Sequence, residues 1–324
     1  MDWPEGIAAR PIVLDDADAL AELRAAVEKV DDEGEHEDAD DVRDWLRHPW
    51  FDGPHGSIGL WSGDQLAGWA VIWSGPLQRD TDKISFIGGV HPDWRRHGLG
   101  GRLLDWGLER AAERHQGRHP DMTGELHAYA GDANAGLRAM LLGAGFTPVR
   151  YFAEMKLALA GRPDAGATVP DGLRQDVFED RYDEATRLAH NEAFLDHWGS
   201  TPREPDAWRG HTTGRTSFRP GQSHLLLDGE EVASYVLTYE YDAETAVTGR
   251  RDLYIGQVGT RRPYRGRGAA NALLDSTLAA AEAAGFETAS LGVDAANPTG
   301  ALGLYERIGF TVTRRSTTYS LPLS

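Results

Sequence analysis

"YRGRGAANALL", residues 264–274, sets Arg265, Gly266, Arg267 and Gly268 directly before Ala269, Ala270 and a leucine-bearing run that opens a helix. A short apolar run, "LYIGQVGT" (253–260), precedes it and reads as a strand. Strand, glycine loop and helix in that order bind anions. Free N–H groups at the helix start face the ligand, the helix dipole favours negative charge, and glycine lets the anion approach the backbone. Arginine adds charge-assisted hydrogen bonds to the anion's oxygens. The spacing R-x-x-G-x-A over Arg265, Gly268 and Ala270 matches neither the dinucleotide fingerprint nor the P-loop.

The same layout stands in the first half as "WRRHGLGGRLL" (94–104), where Arg95, Arg96, Gly98 and Gly100 give R-x-x-G-x-G. Three blocks repeat in one order. Hairpin patterns occupy 57–75 and 223–240, the strand–loop–helix units 84–113 and 253–282, and strand, short helix and Gly-Phe exit 125–146 and 290–310. Within the long helices, Leu103, Leu104, Leu108 and Ala111 correspond to Leu273, Leu274, Leu278 and Ala281, a core-facing stripe. Strands alternating with helices behind a hairpin predict an α/β chain with a mixed sheet in each half. "ALAGRPDAGATVPDG" (158–172) has no periodicity and reads as a linker, so the expected domains are 1–160 and 161–324.

The formal net charge of −18 argues against nucleic acid or an anionic membrane surface as partner. Cysteine is absent, which excludes thiolate metal sites and cysteine nucleophiles. No apolar run is long enough to span a bilayer and "MDWPEGIAARP" lacks the regions of a signal peptide, so the default expectation is a cytoplasmic protein, monomer or homodimer. The acidic stretch "DDEGEHEDADD" (31–41) reads most simply as a solvated loop or helix end.

The paired loops and the downstream "NPTGALGLYERIGF" (297–310) resemble the GNAT superfamily of acetyl-CoA-dependent N-acetyltransferases, in tandem and over most of the chain. The two-copy design is similar to the mycothiol synthase-like members, which acetylate a cysteinyl amine. The resemblance implies a sheet that splays in its middle, with Gln257, Val258 and Gly259 lining the gap and the R-x-x-G-x-G/A loops around the coenzyme A pyrophosphate. A strand left without its neighbour has unpaired backbone groups, and the amide-bearing pantetheine arm can pair with them as an added strand does. It also implies that Tyr305 protonates the departing thiolate and that Asn297, with Asn134 in the first copy, helps position coenzyme A. A core aromatic and a helix cap are the plain alternatives for Tyr305 and Asn297. Five residues before its Gly-Phe exit, the first half has Leu141 where the second has Tyr305. That copy is expected to be degenerate, and the second to carry the reaction.

Order along the chain places Glu240 and Asp294 as candidate bases, with Glu240 preferred. His190, Asp196, His197 and Trp198 cluster where an amine acceptor would enter; Asp196 could take an ammonium group and Trp198 pack on it, or the group could simply finish a helix. His190 and His197 lie two helical turns apart with no ligand set around them, so no metal is expected. The expected activity is acetyl transfer to the primary amine of a small molecule; the alternative from another class is a non-catalytic acetyl-CoA sensor.

Overall fold

A computed structural model of the chain describes residues 2–78, 81–162, 168–195, 200–296 and 300–323. They form two compact units, Met1–Tyr151 with Ser316–Ser324, and Phe152–Arg315.

In the first unit the strands are β1 (Ala8–Arg10), β2 (Ser57–Ser62), β3 (Gln65–Ser74), β4 (Thr81–Val90), β5 (Thr123–Gly131) and the start of β6 (Thr147–Ala158). The helices are α1 (Ala17–Asp31), α2 (Ala39–Leu46), the single turn α3 (Gly53–Gly56), α4 (Leu99–Arg118) and α5 (Ala135–Gly143). β1 to β4 pair antiparallel in sequence order, and β4 runs parallel to β5. Alternation along β3 feeds two cores: Ala70 and Ile72 meet α4 through Leu103 and Leu104, while Trp69 and Val71 meet α1 and α2 through Leu20, Leu23 and Val42. The repeated helix stripe is the buried face in both copies, apart from half-buried Leu108.

The second unit repeats the pattern with β7 (Arg174–Val177), β8 (His224–Asp228), β9 (Glu231–Tyr239), β10 (Asp252–Thr260), β11 (Thr288–Asp294) and β12 (Thr311–Leu323). Its helices are α6 (Asp183–Ala193), α7 (Pro205–His211), α8 (Asp242–Thr248), α9 (Ala269–Ala283) and α10 (Ala301–Ile308). Val236, Leu253 and Ile255 pack under α9, and Tyr235, Leu237 and Tyr239 face Tyr182 and Trp208 on the other side of the sheet.

The units do not divide at one point near residue 160, as the linker composition predicts. β6 passes from the first unit into the second, where its residues 152–158 pair antiparallel with β11. β12 makes the opposite passage, and residues 316–323 pair with β5 of the first unit. Each half thus gives up most of its last strand to complete the other's sheet. The start of the composition-defined linker is ordered structure: Leu159 is buried, and Arg162 reaches Asp275 at 2.6 Å within the second unit.

Candidate active site

The splay is present in both units. In the second, β10 pairs with β11 only from Asp252 to Tyr254, and beyond that point only β9 accompanies it. Arg261 N–H donates to the Ala233 carbonyl at 3.0 Å, so by strand alternation residues 257 and 259 bond towards β9 and Val258 turns its N–H and C=O to the open side. A bulge at Gly256 precedes this edge, where any side chain would strike the Tyr239 ring, 2.4 Å from an ideal Cβ. In the first unit β4 pairs with β5 from Thr81 to Phe86 and then parts from it.

The basic loop after each splayed strand bends identically. Gly268 caps α9 at φ +84° and Gly98 caps α4 at φ +80°; Gly266 at φ +72° answers to Arg96 at φ +67°. That left-handed bend is strained for arginine and easy for glycine. In front of Gly266 and Gly268 the space is open, since a Cβ there would meet nothing within 4 Å. The first N–H groups of α9, from Ala269 and Ala270 onward, have no carbonyl partner within the helix.

The loops differ in what holds their arginines. Arg265 braces the second loop with neutral partners, donating from Nε to the Thr260 carbonyl at 3.0 Å and from a terminal nitrogen to the Ala193 carbonyl at 2.8 Å. Arg267 donates to the Asp171 carbonyl at 2.9 Å. Arg95 makes the equivalent Nε bond, to the Val90 carbonyl at 3.1 Å, but its two terminal nitrogens go to Asp31 at 2.6 and 2.9 Å. Asn134 caps α5 through its Oδ1, bonded by the Leu137 N–H at 3.0 Å, and turns its amide towards Asp31 and Glu33. Glu33 also accepts from the Gly131 N–H at the end of β5, at 3.4 Å. The acidic stretch does end α1 at Asp31 and cap α2 at Asp38, but Asp31 and Glu33 are not simply solvated charge. It lies across the first unit's loop and strand end, with Glu35 and Glu37 anchored by Arg24. Burial, reinforced by Glu35, pushes the Glu33 carboxyl above its usual range.

Tyr305 and Leu141 occupy equivalent places. The Phe310 N–H donates to the Tyr305 carbonyl at 3.0 Å, and the Phe146 N–H to that of Leu141 at 3.1 Å. Tyr305 is 8 % exposed, edge-on to Phe310, with its phenol pushed up to about 12 by burial. Leu141 is wholly buried in its core.

The expectation for Glu240 fails on geometry. Its two oxygens accept from Arg219 Nε at 3.0 Å and Arg251 Nε at 2.8 Å. Burial opposes ionisation, but the bonds from Arg251 and Arg219 outweigh it and hold the carboxyl below the usual range. Glu240 also follows the end of β9 that pairs with Tyr254, whereas Val258 pairs further back, at Val236. Asp294 is buried at the end of β11, where its Oδ1 accepts the Ala296 N–H at 3.0 Å. Asp196, His197, Trp198 and Asn297 lie outside the described residues. His190 is buried, bonded to the Tyr235 hydroxyl at 2.8 Å and stacked on Phe194. Tyr235 in turn stands over Gly259, its hydroxyl 2.3 Å from an ideal Cβ. One residue that the sequence did not single out is Arg203, whose guanidinium sits near Trp208, Tyr235 and Tyr239. Among the described residues no group of three or more His, Cys, Asp or Glu could hold a metal, and no helix is long and apolar enough to cross a membrane.

The family model described as "Acetyltransferase (GNAT) family" matches residues 18–129 and 183–310. The chain is 32 % identical to the mycothiol acetyltransferase of Thermobispora bispora over 81 % of this chain and 82 % of that one. Among solved structures it is similar to a GCN5-related N-acetyltransferase from Sphaerobacter thermophilus, with a TM-score of 0.72, 27 % identity and coverage of 99 % and 97 %. A tandem GNAT protein of the clavulanic acid biosynthesis pathway shares the fold at a TM-score of 0.70, with 17 % identity and coverage of 98 % and 99 %.

Proposed function

Since the chain belongs to the GNAT family of acetyltransferases, and so transfers an acetyl group from acetyl-CoA to an amine, we propose that its one reaction centre lies in the second unit. The observation that carries this assignment is the exchange of Tyr305 for Leu141 at equivalent hydrogen-bonded positions. Only the second unit has a phenol there.

The second unit's residues fit the coenzyme. The open space before Gly266 and Gly268 admits a pyrophosphate to the amides of Gly266 to Ala270, with Arg265 and Arg267 supplying positive charge. Gln257, Val258 and Gly259 offer the strand edge to a pantetheine arm, and the Val258 N–H is the donor for the thioester oxygen as charge develops on it. Tyr305 holds its proton at neutral pH and gives it to the sulfur as the C–S bond breaks. Asn297 keeps its proposed positioning role, and Asp196, His197 and Trp198 theirs at the acceptor side. Glu240 has no part.

In the first unit Asp31 and Glu33 stand in for the ligand's anionic and carbonyl oxygens at Arg95, Asn134 and Gly131. The chain itself thus takes up the donors of Arg95, Asn134 and Gly131, while the space before Gly98 is open as it is before Gly268. A second reading concerns the acceptor: similarity to the Thermobispora bispora enzyme over most of both chains favours a cysteinyl amine of the mycothiol type.

The test is thiol release from acetyl-CoA over a panel of amines, with matched variants Gly268→Asp and Gly98→Asp. Neither new side chain meets an atom within 4 Å, so each introduces charge and local φ strain without a clash. Loss of turnover in Gly268→Asp alone is expected. Loss in Gly98→Asp alone would move the reaction to the first unit, and thiol release from neither parent nor variant on any amine would leave a binding protein.

A further inference from the structure

Among its described residues the second unit holds an arginine with no carboxylate partner, Arg203, on the face of the sheet where Trp208 packs with Tyr235 and Tyr239. Several other arginines of this unit are paired with carboxylates: Arg162 with Asp275, Arg187 with Glu184, Arg219 and Arg251 with Glu240, and Arg261 with Glu192 and Glu231. Arg203 has no carboxylate partner among the described residues. Its side chain makes one hydrogen bond, from a terminal nitrogen to Thr212 Oγ1 at 2.9 Å, and lies 6.0 Å from the centre of the Trp208 ring. Burial lowers its pKa, and its nearest charge-sensitive neighbours are the phenols of Tyr239 and Tyr235. Those phenols are protonated at any physiological pH, since burial raises both.

The backbone of Arg203 is anchored to α6. The Arg203 N–H donates to Asn191 Oδ1 at 2.8 Å, and its carbonyl accepts from Arg187 at 2.6 Å and from Asn191 at 3.1 Å. The two tyrosines of that sheet face reach the reacting strand. Tyr239 donates to Gln257 Oε1 at 2.7 Å, and Tyr235 covers Gly259. Val258 lies between those two positions. A guanidinium withdrawn from water with one neutral partner is costly. A planar carboxylate presented to its free N–H groups recovers that cost and fixes the orientation of whatever carries it.

We propose that Arg203 receives a carboxylate of the acceptor, which makes the acceptor an amine that also bears a carboxylate, such as a free amino acid or a small peptide with a free amino group. The inference rests on the reading of the second unit as the reaction centre. It runs against a cationic acceptor such as a polyamine, which Arg203 repels, and it competes with the second reading above, since a mycothiol-type cysteinyl amide offers Arg203 no carboxylate.

The experiment pairs each amino acid with its amide and its decarboxylated amine, including cysteine with cysteine amide, and adds phosphoethanolamine to separate carboxylate from phosphate. The expected result is a kcat/KM for the acids about tenfold or more above the amides, the effect of one charge-assisted contact. In Arg203→Met that preference collapses, and in Arg203→Lys part of it returns. Amides or polyamines used as well as acids, a preference for phosphoethanolamine, or an acid preference that survives Arg203→Met would each overturn the proposal. Calorimetric binding of the corresponding 2-hydroxy acids to protein saturated with coenzyme A gives a readout without turnover. Carboxylate binding weakened about tenfold in Arg203→Met supports the proposal, and equal or undetectable binding to both proteins overturns it. Amide turnover with no acid preference would sink this inference and leave the acetyltransferase assignment intact.

Discussion

Arg95 grips Asp31 with both terminal nitrogens of its guanidinium, at 2.6 and 2.9 Å, in the loop where Arg265 of the second unit binds only carbonyl oxygens. A two-pronged arginine–carboxylate pair satisfies the donors that would otherwise take a phosphate. Wild-type protein is therefore expected to bind one acetyl-CoA per chain. Asp31→Ala with Glu33→Ala removes the internal substitute, and a second, weaker equivalent is expected in a calorimetric titration. A wild-type stoichiometry of two would remove the basis of this expectation.

Tyr305→Phe keeps the ring against Phe310 and deletes only the proton donor. A fall of about a hundredfold in kcat is expected, with little change in KM for acetyl-CoA. Because burial pushes the phenol up to about 12, wild-type kcat has no falling limb from this group below about pH 10. An unchanged kcat in the phenylalanine variant would place the proton elsewhere.

The carboxyl of Glu33 is raised, by burial first and by Glu35 next. A carboxyl whose folded value lies above its unfolded one favours folding fully below the ordinary carboxyl range, and that contribution is lost as pH rises through the folded value. Glu33→Gln retains an oxygen for the Gly131 N–H and carries no charge. Its melting temperature is expected to exceed that of wild type at pH 7.5, with the gap closing towards pH 4. A wider gap at pH 4 would contradict the sign.

Glu240→Gln tests the carboxylate that order along the chain favoured as a base. The pH dependence of kcat is expected to stay as in wild type. Stability is expected to fall by about 1–3 kcal/mol at pH 7, because two arginines lose a charged acceptor. The carboxyl is held low, so its contribution is present above the ordinary carboxyl range and disappears as pH falls through the folded value. Denaturant midpoints at pH 7 and pH 3 measure both halves of the statement.

What could be read from the sequence was local or repeated. Gly268 and Gly98 announce their left-handed caps because few other residues adopt that conformation, and the matched helices show their buried stripe through 3.6-residue spacing. Counting back from Phe310 and Phe146 located Tyr305 and Leu141 because both exits close with the same hydrogen bond. What stayed hidden depends on partners distant in sequence. An alternating strand pattern identifies a face, not a neighbour, so nothing in 147–158 or 311–323 told which unit each would complete. Asp31 and Glu33 read as solvated charge until Arg95 and Asn134, more than 60 residues away, were brought to them. Arg203 was overlooked because a lone arginine in an irregular segment carries no signal until its contacts among the described residues turn out to include no carboxylate.

The return of residues 316–323 to β5 reaches into how the protein is made. A ribosome that has finished the first 151 residues has released a sheet whose β5 edge still waits for a strand almost 200 residues further along. Until then that edge is a bare row of hydrogen-bonding groups, open to pairing with a neighbouring nascent chain. The half that is synthesised first is thus the last to be completed, and a gene cut at the linker would yield two products that each lack a strand.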